Sequence, residues 1–149
     1  MKTFSLAASL SLGALLALPA AAQTRTGRVG VMATRGTLHS GKFRALHESL
    51  AHRATFVLQP CDGLAEAIEH GDAMKIIAGS QDHTRAMGRF GSEAGEIDTL
   101  VLGCTHYPFA SGVLRELVGP DVRLVETGEP VARQTRRLLA SAGLLCGQS

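Results

Sequence analysis

A cysteine, a threonine and a histidine stand together at Cys104, Thr105 and His106, directly after a continuously apolar segment. Both a nearby histidine and a helix N-terminus favour the thiolate form of a cysteine, which is its reactive form. His106 lies two residues from Cys104 and is a candidate proton partner or electrostatic support. Thr105 adds a hydroxyl and a backbone N–H that can hold a carboxylate. The run predicts a site for thiolate chemistry, and an inert cysteine at the end of a buried strand is the alternative.

Four short apolar segments predict the strands that position this run. The segment before Cys104 is apolar throughout its interior, as expected of a strand buried on both faces. The predicted strands are Arg28 to Thr34, Ala54 to Gln59, Asp98 to Gly103, and Val122 to Val125.

Segments with helical periodicity alternate with these strands. Ser40 is a candidate cap for the first, and Asp62 is a candidate cap for the second. The predicted helices run from Ser40 to about Leu50, from Asp62 to about Gly71, from Ala73 to about Phe90 with interruptions at Gly79 and Gly88, from Ala110 to Val118, and from Glu129 to Ala142. This alternation predicts an α/β domain, with a parallel sheet and helices on both of its faces.

Two polar, glycine-bearing segments are predicted at the carboxyl ends of strands. One runs from Ala33 to Thr37 and the other from Gly103 to His106. Because ligands of such sheets bind beyond the carboxyl ends of the strands, we expect both segments on one rim.

The composition argues against several classes of partner. The chain has 149 residues, 45% apolar and 19% charged, with a net charge of +2. Its basic residues are scattered, the densest run being Arg133 to Arg137, and it has no Trp and one Tyr. Nucleic-acid binding is therefore not expected. Three cysteines without a CxxC or zinc-type cluster predict neither a disulfide framework nor a metal site.

The first 23 residues have two interpretations. Lys2, the uncharged apolar stretch from Phe4 to Leu18 and the small residues from Pro19 to Gln23 are typical of a secretory signal, which predicts export to the periplasm. The apolar stretch is shorter than the roughly 20 residues of a spanning helix, so no membrane association of the mature domain is expected. The alternative is a linker that enters the domain. Under either interpretation, the domain is expected to comprise residues 24–145.

Four ordered blocks resemble glutamate racemases, of the aspartate/glutamate racemase superfamily. DTLVLGCTHYP is similar to the second cysteine motif of that family, and His106 favours its glutamate branch. The other blocks are Gly30 to Thr37 with Ser40 to Phe43, Gln59 to Cys61 with Leu64 to Glu69, and Gly119 to Leu124 with Thr127 to Glu129. The resemblance covers about Pro19 to Leu145 and implies the second, flavodoxin-like three-layer domain of that fold.

The resemblance implies roles for six residues. The family inverts the α-carbon of glutamate without a cofactor, by two thiols acting on opposite faces, and its D-glutamate enters peptidoglycan synthesis in the cytoplasm. Cys104 is then the base acting on L-glutamate, His106 assists it, and Glu69 supports the other half of the reaction. The three threonines of the site, Thr34, Thr37 and Thr105, are expected to bind substrate carboxylates or hold the loops. Solvation of Glu69 and turn capping by Thr34 and Thr37 are the plain alternatives.

The family's first-domain motifs, Asp-Ser-Gly and Asn-Thr-Ala-Cys, do not occur in this sequence. The resemblance therefore implies a racemase fragment with one of two bases. We expect very weak or no racemase activity from this chain alone, and self-association through an unpaired interdomain face. Cys61 is expected to be structural, and Cys146 lies in the C-terminal tail. The remaining histidines are expected at the surface: His39, His47, His52, His70 and His83. An exported binding domain for an amino acid or dicarboxylate, and an aspartate or hydantoin racemase, remain alternatives.

Overall fold

The computed structural model describes residues 20–126 and 128–143, so the apolar stretch 4–18 and Cys146 lie outside the described residues. Four strands form one all-parallel sheet in the order β2-β1-β3-β4. The strands are β1 (Arg28–Ala33), β2 (Thr55–Pro60), β3 (Thr99–Leu102) and β4 (Arg123–Val125). The predicted α/β class and parallel sheet are confirmed.

Helices connect successive strands, as parallel pairing requires. They are α1 (Arg35–His39), α2 (Gly41–Leu50), α3 (Leu64–Glu69), α4 (Ala73–Met87), α5 (Ser111–Val118) and α6 (Gly128–Ser141). A 3₁₀ helix, Tyr107–Ala110, precedes α5.

Alternating side chains of the central strands fill a separate core on each face of the sheet. Val29 and Val101 face one core, which α1 and α2 cover through Leu38 and Phe43. Met32, Leu100 and Leu102 face the other, which includes Leu64, Met87, Tyr107 and Leu114 from α3, α4 and the 3₁₀–α5 segment. The helices therefore cover both faces, as the sequence predicted.

Three details of the predicted helices are wrong. Residues 35–39 form α1, which begins where Thr34 accepts a hydrogen bond from the Thr37 N–H. Asp62 does not cap α3, because Gly63 is the N-cap residue and the Asp62 carboxylate pairs with Arg35 at 2.6 Å. Gly79 does not interrupt α4, which continues to Met87 and ends at Gly88.

Residues 20–23 are helical, and the side chains of Ala20 and Ala21 are buried in the core beside β1. Removal of these two residues would uncover part of that core. In the described part of the chain, no helix is long and apolar enough to cross a membrane.

Asp98 braces the opposite, amino edge of the sheet, just before β3. Its carboxylate accepts hydrogen bonds from the Thr24 hydroxyl at 2.6 Å, the Arg25 N–H at 2.6 Å, the Thr26 N–H at 3.0 Å and the Thr99 hydroxyl at 3.0 Å. Burial alone raises the pKa of this carboxyl, but the hydrogen bonds outweigh burial and hold the pKa below its usual value. Asp98 thereby fixes the entry into β1 relative to β3, the two strands that carry the site.

Candidate functional site

Gly103 joins the two strand ends at which the site lies. Its N–H donates to the Met32 carbonyl at 2.7 Å. A Cβ atom on residue 103 would lie 2.9 Å from that oxygen and 3.1 Å from the Ala33 Cβ. Only glycine permits this approach, so the residue before Cys104 is held directly against the end of β1.

Cys104 and His106 form a close pair at the carboxyl edge. The Cys104 Sγ is 3.6 Å from the His106 Nδ1, and both residues are half-buried. The turn between them is closed by the Tyr107 N–H, which donates to the Cys104 carbonyl at 3.2 Å. Tyr107 is fully buried in the core below, so it anchors the turn while the thiol and the imidazole stay accessible.

Glu69 holds the far side of the imidazole. Its Oε1 is 2.8 Å from the His106 Nε2. The Glu69 side chain is 60% exposed and the His106 side chain is 34% exposed. An ionised carboxylate only accepts hydrogen bonds, so it favours a proton on Nε2 and leaves Nδ1 to exchange a proton with Cys104. The expected role of Glu69 was support of the other half of the reaction; its contact here is on the Cys104 side.

Thr34 and Thr37 form the opposite wall. Their hydroxyl oxygens are 2.9 Å apart, and the Thr37 N–H donates to the Thr34 hydroxyl at 3.3 Å. Thr34 therefore does cap a turn, since it begins α1, and both threonines also line the pocket that contains Cys104. The plain and the functional interpretations of these two residues are compatible.

The two walls enclose a cavity of about 630 Å³. Five of the six sequence-predicted residues line it, and Glu69 reaches it through His106. The lining residues that were not predicted as site residues are Gly36, Ser40, Lys42, Ala65 and Gly103. Ser40 was predicted as a helix cap and belongs to one of the blocks that resemble the family; it does cap α2, since its hydroxyl accepts a hydrogen bond from the Phe43 N–H at 3.2 Å. Lys42 belongs to the same block, but the block alone did not indicate that this lysine lines the cavity.

Cys61 has a different environment from Cys104. It is 2% exposed, its thiol donates to the Gln59 carbonyl at 3.4 Å, and burial raises its pKa to about 12. Burial likewise raises the pKa of the neighbouring Tyr107, whose hydroxyl has no partner at ordinary hydrogen-bond geometry. Cys61 is thus a neutral core residue, in agreement with the structural role expected for it.

The other histidines lie away from the cavity lining. His39, His52 and His70 are exposed, as predicted. His47 and His83 are half-buried instead: His47 stacks on Phe43, and the His83 Nδ1 lies 3.4 Å from the Gln59 side-chain amide. Among the described residues, no cluster of His, Cys, Asp and Glu has the arrangement of a metal site.

Fold and site together define an α/β domain with a thiol, an imidazole and a carboxylate in series at the carboxyl edge of its sheet. No protein-family profile matches the chain. It is, however, 46% identical over 129 residues to the glutamate racemase of Pseudomonas syringae pv. tomato, and 46% identical over 132 residues to that of Pseudomonas entomophila. Both matches cover 85% of this chain, and they cover 45% and 47% of those two proteins.

Solved glutamate racemases share the fold. An isoform from Bacillus anthracis superimposes with a TM-score of 0.76 at 25% identity, over 93% of this chain and 51% of that one. The Escherichia coli enzyme, solved with L-glutamate and an activator, gives 0.68 at 32% identity, over 82% and 46%. The chain is therefore similar to glutamate racemases both in sequence and in fold. It spans about half the length of the relatives it matches.

Proposed function

We propose that this chain carries one half of a cofactor-independent glutamate racemase site, in which Cys104 exchanges a proton with the α-carbon of glutamate. The observation that carries the proposal is the 3.6 Å contact between the Cys104 Sγ and the His106 Nδ1 beside an accessible cavity. Homology to glutamate racemases over 85% of the chain supports glutamate as the substrate.

The cavity suits a dicarboxylic amino acid. Hydroxyls of Thr34, Thr37 and Thr105 line it, and each can donate to a carboxylate oxygen. Lys42 also lines it and adds a positive charge near that wall. Neutralising the α-carboxylate matters chemically, because the electron pair left when the α-proton departs is delocalised onto that group.

The series Glu69–His106–Cys104 then has a defined task. When His106 takes the thiol proton on Nδ1, Glu69 stabilises the resulting imidazolium through Nε2. The thiolate removes the α-proton, and the same thiol returns a proton when the reaction runs the other way. General acid–base catalysis by such positioned groups contributes about 10²–10⁴-fold in rate.

The test is exchange of the α-proton in D₂O, followed by proton NMR separately for L- and D-glutamate. We expect the wild-type chain to exchange the α-proton of L-glutamate, and Cys104→Ser to reduce that exchange by at least about 10²-fold. Cys61→Ala is the matched thiol control and should keep the wild-type rate, since Cys61 is 2% exposed. Equal exchange in wild type and Cys104→Ser would refute the proposal, as would exchange of aspartate but not of glutamate.

We further infer that residues 24–145 correspond to the second domain of the family's two-domain fold. This is supported by the coverage of about half of each relative. The corresponding role is the supply of D-glutamate for peptidoglycan precursors in the cytoplasm. The burial of Ala20 and Ala21 supports a cytoplasmic chain over an exported one, because cleavage near Gln23 would remove these two core residues. N-terminal sequencing of the mature protein tests this point, and a start at Gln23 or Thr24 would contradict it.

A further inference from the structure

The Tyr107 hydroxyl is a buried polar group without a hydrogen-bond partner among the described residues. Tyr107 is 0% exposed, and it packs in the core cluster that also contains Leu64 and Leu114. A buried hydroxyl that lacks a partner is unfavourable, because it has given up its hydrogen bonds to water. Phenylalanine would fill the same space without this loss, so packing alone does not explain the phenol oxygen.

The two cysteines of the described residues lie in or against the same cluster. Cys61 belongs to it, and Cys104 packs against it. The Cys61 thiol already donates its proton to the Gln59 carbonyl at 3.4 Å, and burial keeps it neutral, so its sulfur is a weak acceptor. Cys104 differs, because the Nδ1 of His106 lies 3.6 Å from its sulfur and can take its proton. The sulfur that can become a strong, anionic acceptor is therefore that of Cys104.

One turn of the backbone holds the phenol close to Cys104. Tyr107 is the third residue after Cys104, and its N–H donates to the Cys104 carbonyl at 3.2 Å. Burial, and then negative charge on the neighbouring thiols, raises the pKa of Tyr107. The phenol therefore keeps its proton, and remains a donor, at every pH at which a thiol of ordinary pKa, about 8.5, ionises. Because the hydroxyl has no partner, its O–H bond is free to rotate.

We propose that Tyr107 is a positioning residue for Cys104, whose hydroxyl turns its proton toward the Cys104 sulfur when that sulfur becomes an anion. This role rests on the proposed function, in which the anion is the form that removes the α-proton. The hydroxyl is unpaired beside the neutral thiol and satisfied beside the thiolate. An interaction that is made only with the ionised form favours ionisation, so the phenol raises the fraction of thiolate at a given pH.

Other charged and titratable groups also surround the two residues, and they remain when the phenol oxygen is removed. They come from the loops after β1 and β2, from α2, from α3 and from the turn that contains Cys104: Arg35, Cys61, Asp62, Lys42, Glu69 and His106. Tyr107→Phe changes none of these side chains. A change in the ionisation of Cys104 in this variant therefore belongs to the phenol oxygen.

The first experiment measures the rate at which iodoacetamide alkylates Cys104 as a function of pH, in the full wild-type chain and in Tyr107→Phe. Only the thiolate reacts, so the midpoint of the rate profile reports ionisation, and peptide mass mapping separates Cys104 from the other cysteines. The midpoint should move to higher pH by about one unit in Tyr107→Phe, because a charge-assisted hydrogen bond to the anion is lost. An unchanged midpoint would overturn the proposal.

Stability measurements distinguish this role from a structural one. At about pH 5, where a thiol of ordinary pKa is protonated, the urea midpoint of Tyr107→Phe should equal or exceed that of wild type, because the hydroxyl has no partner to lose. A lower urea midpoint with an unchanged alkylation midpoint would show that the hydroxyl is structural and would overturn the proposal.

Ser80→Ala is the matched control for the loss of a buried hydroxyl. The Ser80 hydroxyl is also buried and without a partner, but it lies on α4 and outside the cavity lining. This variant should leave the alkylation midpoint of Cys104 unchanged. A shift as large as that of Tyr107→Phe would show that the effect is not specific to the phenol and would contradict the proposal.

Fluorine NMR tests the same contact without removing the hydroxyl. Tyr107 is the single tyrosine of the chain, so biosynthetic incorporation of 3-fluorotyrosine labels this position alone. Its fluorine resonance should shift in a step at the pH of the alkylation midpoint, and this step should be absent in Cys104→Ser. A wild-type chain without the step, or the same step in Cys104→Ser, would show that the phenol does not respond to Cys104 and would overturn the proposal.

Exchange of the α-proton keeps this role apart from the proposed function. Tyr107→Phe should slow exchange of L-glutamate about tenfold below the alkylation midpoint and match wild type above it, where Cys104 is ionised in both chains. An equal loss at every pH would overturn the positioning role and leave the proposed function standing. Absence of exchange from a folded wild-type chain would overturn the proposed function, while the alkylation and fluorine measurements would still decide the role of Tyr107.

Discussion

Substitutions of Asp98 should show that its hydrogen bonds from backbone N–H groups matter more for stability than its hydrogen bonds from hydroxyls. One carboxylate oxygen accepts from the hydroxyls of Thr24 and Thr99, and the other accepts from the backbone N–H groups of Arg25 and Thr26. Hydroxyls can rotate and become acceptors, whereas a backbone N–H can only donate. The asparagine amide in Asp98→Asn therefore has one good orientation, with its NH₂ toward the hydroxyls and its oxygen toward the backbone.

The magnitudes of the two substitutions differ for this reason. Asp98→Asn keeps four hydrogen bonds and loses their charge assistance, at a cost of about 1–2 kcal/mol in the free energy of unfolding. Asp98→Ala removes the acceptor of two backbone N–H groups at a position that is only 4% exposed in the wild type. It should therefore lower the free energy of unfolding by about 3–4 kcal/mol. Against a total stability of about 5–15 kcal/mol, the alanine variant is severely weakened and the asparagine variant is not.

The pH dependence has a definite sign. The pKa of Asp98 is lower in the folded protein than in the unfolded chain. Its charge therefore stabilises the fold above the unfolded pKa of about 3.9, and this contribution is lost as the pH falls through the lower folded value. The difference between wild type and Asp98→Asn should thus be fully present at neutral pH and should shrink in acid.

Urea unfolding followed by circular dichroism at neutral and acidic pH measures these quantities. Asp121→Asn, a change at an exposed carboxylate, is the control and should shift stability by less than about 0.5 kcal/mol. Equal destabilisation by Asp98→Asn and Asp98→Ala would contradict the role assigned to this carboxylate, as would a destabilisation by Asp98→Asn that does not change with pH.

Three further predictions concern the site. Iodoacetamide should label Cys104 in the native chain and leave Cys61 unmodified until unfolding, as peptide mass mapping can establish; early labelling of Cys61 would contradict its burial. Gly103→Ala should lower the free energy of unfolding by about 1–3 kcal/mol and slow α-proton exchange, because the new Cβ would meet the Met32 carbonyl. Gly112→Ala is the control and should not lower the free energy of unfolding, because its new Cβ would enter open space. Glu69→Gln should slow α-proton exchange about tenfold and alter the pH profile of that exchange, because it removes the carboxylate partner of His106. Glu66→Gln, on the same helix, is the control. An unchanged pH profile in Glu69→Gln would show that Glu69 does not act in the site.

Sequence alone predicted the strands well, because their signal is local. The apolar run before Cys104 is β3, and the segment that contains Val29 and Val31 is β1, with no boundary shifted by more than one residue. The same holds for α2, whose Ser40 cap and apolar spacing are both local features. The carboxyl ends of parallel strands meet at one edge, so the shared rim of Thr34 and Cys104 also followed from the strand pattern.

Features that depend on tertiary packing could not be predicted from the sequence. Residues 35–39, RGTLH, contain a glycine and little helical periodicity, and α1 forms because Thr34 caps it and Leu38 enters the core. Gly79 was predicted to interrupt the helix, yet α4 continues through it, at a position that faces Leu64 of α3. The contact of Glu69 with His106 joins residues far apart in sequence and depends on where α3 ends above the sheet.

The contrast between Cys61 and Cys104 shows why residue type at a strand end is an insufficient guide to chemistry. Both cysteines follow parallel strands at the same edge of the sheet, separated by β1. Cys61 packs into the core with Leu64 and Tyr107, and desolvation there keeps its proton on sulfur. Cys104 is lifted to the cavity because Gly103 takes the place against β1 where a side chain would not fit, and there it meets His106. The contact with an imidazole therefore distinguishes Cys104 from Cys61, although both thiols follow strands at the same edge of the sheet.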